Sequence, residues 1–70
     1  MNGRGEVIGY IIYNDGTRRE ACHLVGGDRD VDYNLMRQNC EVSTQRKFDF
    51  EVRCYRGNGP KPVRYTVEEK

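Results

Sequence analysis

At 70 residues, with 12 basic side chains against 11 acidic ones and a net charge of +1, the chain has room for a single core. The charge balance excludes the strongly basic domain usual among nucleic-acid binders, and it excludes the self-repulsion that keeps polar chains unfolded. Three cysteines, Cys22, Cys40 and Cys54, are an odd number at wide spacing, unlike the even disulfide framework of small secreted domains.

The opening residues lack the charged-then-apolar pattern of a secretory leader, and no apolar run approaches the ~18 residues that span a bilayer. The expectation is a cytoplasmic chain with reduced thiols and no membrane contact. A core this small supplies about 3–5 kcal/mol. A homodimer or a partner that completes the core is therefore expected to matter.

In chain order, residues 1–5 read as a flexible tail ahead of one domain over 1–70. "EVIGYIIY" (6–13) is apolar on both faces and predicts a central strand, or one covered on both sides. "NDGT" (14–17) is a hairpin turn, either a two-residue Asp15-Gly16 loop or a three-residue loop with Gly16 in a bulge. "RREACHLV" (18–25) returns as the second strand. "GGDRDVD" (26–32) breaks it and starts a short helix over 31–40, with Asp28 or Asp30 capping the free N–H groups.

"STQR" (43–46) reads as a connection. "KFDFEVRCYR" (47–56) alternates cleanly, with Phe48, Phe50, Val52 and Cys54 inward, and predicts a third strand. "VRYTVE" (63–68) repeats the alternation through Val63, Tyr65 and Val67. The order is thus ββαββ: an α+β fold, with a four-stranded antiparallel sheet and one short helix on its apolar face. A small five-stranded β-barrel is the alternative if 31–42 is not helical. The predicted inner face is Val7 or Ile8, Ile11 or Ile12, Leu35, Met36, Phe48, Phe50, Val52, Val63, Tyr65 and Val67.

The stretch "RCYRGNGPKPVRY" (53–65) holds four basic side chains and no acidic one. On a hairpin, Arg53, Tyr55 and Arg64 would share the outward face while Arg56 and Lys61 flank the loop. Rings between cations suit single-stranded nucleic acid. The same face would carry Asp49, Glu51 and Glu68, which would neutralise it through cross-strand pairs. The partner-binding set is therefore Arg53, Tyr55, Arg56, Lys61 and Arg64, with Asp28, Asp30 and Asp32 as a secondary acidic patch.

Other chemistries fail on spacing. Counted from Asp28, the D-x-D-x-D run has Tyr33 where a calcium loop needs Gly and Asn39 where it needs Glu. Cys22 and His23 are adjacent strand residues and point to opposite faces, and the three cysteines match no zinc-ligand spacing. His23 has no orienting group nearby in sequence for nucleophilic catalysis. "GNGPKP" lacks the third Gly and the following helix of a phosphate loop.

No catalytic, cofactor or metal residues are therefore assigned. The expected function is that of a non-enzymatic interaction protein docking on a larger partner, either a protein or a protein–nucleic-acid complex. By size alone it is comparable to phage- and mobile-element-encoded inhibitors of host machinery, anti-CRISPR proteins among them, an analogy carried by no residue. The alternative is a small RNA- or single-stranded-DNA-binding module using 53–65.

Overall fold

The computed structural model describes residues 5–26 and 30–69, with backbone alone for 30–33. Two strands, β1 (Gly5–Tyr13) and β2 (Arg18–Gly26), precede a 25-residue helix, α1 (Asp30–Cys54), and a third strand, β3 (Pro62–Glu69). The sheet is antiparallel in the order β2-β1-β3, so the doubly apolar β1 is central. The order is ββαβ with three strands. The expected ββαββ order and four-stranded sheet are overturned, and so is the barrel alternative, because residues 47–54 are helical and 30–42 are helical with them.

The first turn takes the three-residue form. Gly16 N donates to Tyr13 O at 3.0 Å and Tyr13 N to Thr17 O at 2.9 Å, with Gly16 at φ 90°. A side chain is disfavoured at that φ, which is why glycine stands there. Asp15 Oδ1 accepts from Thr17 Oγ1 at 2.6 Å and Thr17 N at 3.0 Å, and these bonds hold its carboxyl below the usual range.

The length of α1 follows from the path of the chain. β2 ends beside Gly5, and β3 begins beside Tyr13, at the far end of the sheet. Nine strand residues span ~30 Å, so a ten-residue helix of ~15 Å would stop halfway, whereas 25 residues cover ~37 Å. No Gly or Pro interrupts residues 28–56. The helix then ends with a tightened turn, Tyr55 N donating to Val52 O at 3.3 Å, ahead of Gly57 and Gly59 at positive φ.

One stripe of α1 packs on the sheet: Met36, Cys40, Thr44, Phe48 and Glu51, continued by Tyr55 just past its end. Cys40 lies against Val7, its Sγ donating to Val7 O at 4.0 Å. Thr44 lies against Gly9. Phe48 meets Tyr65, the cross-strand partner of Ile11, with ring centroids 5.5 Å apart. Glu51 accepts from Tyr13 OH at 2.7 Å. Two strand residues advance ~6.6 Å and four helix residues ~6 Å, so the stripe stays in step with Val7, Gly9, Ile11 and Tyr13.

The core is correspondingly narrow. Val7, Ile8, Ile11, Ala21, Cys40 and Thr44 are buried. Met36, Phe48, Tyr65 and Val67 are half-buried. Four expected core residues are exposed instead: Leu35, Phe50, Val52 and Val63. Phe50 is 66% exposed because α1 turns it away from the sheet that a strand would have faced it toward. Val63 is the extra residue of a bulge, left out between the pairs Ile12–Arg64 and Tyr13–Pro62.

Candidate docking surface

The five partner-binding residues read from the sequence do not share a hairpin face, since no strand precedes their loop. Arg53 sits in the last turn of α1 and is exposed. Tyr55 is half-buried, its hydroxyl donating to Gly59 O at 3.1 Å and its ring lying 6.0 Å below the Lys61 ammonium. Arg56 is exposed in the loop. Lys61 is tied to the first turn, its N–H donating to Asn14 Oδ1 at 3.1 Å and its carbonyl accepting from Asn14 N at 2.9 Å. These bonds gather Lys61 and Tyr55 at the Asn14 end of the molecule. Arg64 stands apart on β3, opposite Ile12 on the face away from the helix.

The acidic set is not placed. Asp28 lies outside the described residues, and of Asp30 and Asp32 only the helical backbone is described.

The helix-free sheet face is largely self-paired. Arg18 passes over the Tyr10 ring, 4.3 Å from its centroid, and reaches Glu68 on the far edge strand at 3.3 Å. His23 pairs with Glu6, and its Nδ1 lies 3.9 Å from Glu20. Sequence distance concealed Glu6 as a neighbour of this histidine. As expected, Cys22 and His23 point to opposite faces: Cys22 lies opposite Gly9, which faces the helix, and His23 opposite Ile8.

Cys22 lies opposite Gly9 on the helix-facing side of the sheet, and Cys40 lies against Val7 on the same side. Burial pushes the Cys22 thiol up to about 12, with hydrogen bonding and charge interaction from Cys40 in the same direction and Lys47 opposing. Such a thiol is a poor nucleophile at neutral pH. Among the described residues, no three His, Cys, Asp or Glu side chains come together in a way that could hold a metal ion. No helix of the described residues is long and apolar enough to cross a membrane.

What the sequence reading missed is the outer face of α1. From Leu35 to Arg53, the residues Leu35, Asn39, Val42, Arg46, Phe50 and Arg53 recur at helical spacing, all of them exposed. Leu35 is 55% and Val42 49% exposed. Asp49 borders the stripe. Reading 30–54 as one uninterrupted helical segment exposes this pattern; reading 47–56 as a strand conceals it.

On the β2 side of the stripe, Arg19 pairs with Glu51, and Lys47 Nζ donates to Ala21 O at 2.6 Å. Ala21 is the extra residue of the second bulge, between the pairs Gly9–Cys22 and Tyr10–Glu20. No protein-family model matches the chain, and no curated protein or solved structure matches it.

Proposed function

We propose that this chain is a non-enzymatic interaction protein of the cytoplasm that docks on a larger protein through the outer face of α1. One observation carries the reading: Leu35, Val42 and Phe50 stand exposed in line on a helix whose inner stripe already serves the sheet. Full burial of such a side chain contributes about 1.5–3 kcal/mol, so a partner covering all three gains substantially. Arg46 and Arg53 on the same stripe supply the cation type most enriched at contact centres. An odd number of widely spaced cysteines supports a reducing compartment. A face of this kind suffices for an inhibitor that acts by occupying its target.

The nucleic-acid alternative has weaker support. Tyr55 is the aromatic that would stack on a base, but its hydroxyl is tied to Gly59 and Lys61 lies over its ring. Arg64 is turned to another face.

The test compares the parent chain with a Leu35→Gln, Val42→Gln double variant as bait in an extract of its native cells. Both positions are exposed, so the variant should melt near the parent. A protein held by the parent and lost by the double variant is the expected result. Equal recovery by both would sink the reading. A retained species that proves to be nucleic acid, released steeply by salt, would favour the alternative.

A further inference from the structure

A groove of about 510 Å³ lies between α1 and the edge strand β2, lined by Arg19, Arg46, Lys47, Phe50 and Glu51. From this lining we infer that the groove is a binding site for an acidic peptide segment bearing an aliphatic or aromatic residue between carboxylates. The inference rests on the docking reading and names the partner's chemistry.

Three cations and one carboxylate line the groove, a net of +2. The carboxylate is already engaged, since Glu51 accepts from Tyr13 OH and pairs with Arg19. Arg46 makes no ion pair among the described residues. Lys47 uses one ammonium proton on Ala21 O, and an ammonium has three. Two positive groups thus remain to receive carboxylates, one on each side of the groove's exposed aromatic wall. Phe50 forms that wall, its ring open to solvent for most of its surface.

The combination selects among anions. A nucleic-acid backbone wants a run of cations along a track, and here it would find only two uncommitted ones, Arg46 and Lys47. A small inorganic anion would leave the Phe50 wall wet. An apolar side chain flanked by carboxylates satisfies both halves, and Arg46 and Phe50 belong also to the outer stripe, so one partner can continue from the groove along the helix. Charge complementarity of this kind fixes register and raises the association rate.

The full chain should be titrated into a fluorescein-labelled peptide of alternating Glu, Leu and Phe, with anisotropy as the readout at low and high salt. The control probes are the same peptide with Gln for Glu, and an oligothymidylate. The expected result is saturable, salt-weakened binding of the acidic peptide. Arg46→Gln, Lys47→Gln and Phe50→Ala should each lower affinity about tenfold, and the Gln peptide should bind at least about tenfold more weakly. Gln45→Ala, exposed on α1 but lining neither the groove nor the outer stripe, should leave affinity unchanged. No binding by the parent, equal binding by the three groove variants, equal binding of the Gln peptide, or preferential binding of the oligothymidylate would each overturn the inference. A chain that still captures its partner through Leu35 and Val42 but ignores the peptide overturns the groove alone. Equal recovery by the stripe double variant overturns the docking reading instead.

Discussion

Gly9 and Thr44 fit only because one of them has no side chain: a Cβ on Gly9 would lie 1.9 Å from Thr44 Oγ1 and 3.0 Å from Thr44 Cβ. The central strand carries a notch, and the helix seats a threonine in it. Thr44 Oγ1 is fully buried and donates to Cys40 O at 2.7 Å, so its polar atom is satisfied inside the contact.

This close approach yields a signed prediction. Alanine in a strand interior ordinarily gains about 0.5–1 kcal/mol over glycine. Gly9→Ala should instead destabilise by about 1–3 kcal/mol, the cost of overpacking a filled contact. Adding Thr44→Ala should return part of the loss, since it removes the atom that clashes most. Denaturant unfolding measures both, and a Gly9→Ala chain as stable as the parent would show that α1 does not seat on β1 here.

The two phenylalanines offer a test of helix against strand. A strand over 47–56 makes Phe48 and Phe50 equivalent, whereas α1 turns only Phe48 inward, against Tyr65. Phe48→Ala should cost about 2–3 kcal/mol, below the 3–5 kcal/mol of a wholly buried ring because it is half-buried. Phe50→Ala should change stability by no more than about 0.5 kcal/mol. Equal losses at the two positions would restore the strand.

Alkaline pH should reveal the raised Cys22 thiol. An ordinary cysteine titrates near 9, and Cys22 is pushed up to about 12. The folded chain keeps a proton that the unfolded chain releases, so this contribution to stability is complete below about pH 9 and falls away as pH rises toward 12. Cys22→Ala should flatten the decline relative to the parent in unfolding measurements above about pH 9. Identical slopes would remove Cys22 as its source. At neutral pH, a thiol reagent should label exposed Cys54 well before Cys22 or Cys40.

Much of the sheet was determined by local chemistry alone. The doubly apolar run 6–13 specifies a central strand, Gly16 a tight return, and the alternation in 63–68 a strand that the structure extends to Pro62–Glu69. In each case the neighbours that decide the conformation lie within a few residues in sequence or follow from burial on two faces. Residues 43–54 are different. Phe48, Phe50 and Val52 alternate like a strand, while the stripe that settles their fate runs through Cys40, Thr44 and Glu51, two of them polar and one small. Those residues mark an inner face only once Gly9 opens space for Thr44 and Tyr13 reaches Glu51, contacts spanning 35 and 38 residues. The candidate surface divided in the same way: the charges at 53–65 were legible as composition, but Leu35, Val42, Arg46 and Phe50 became one face only when the helix ran the full length of the sheet. The physical reason is that a period-two pattern and a weak helical stripe compete within the same residues, and burial against a distant glycine decides between them.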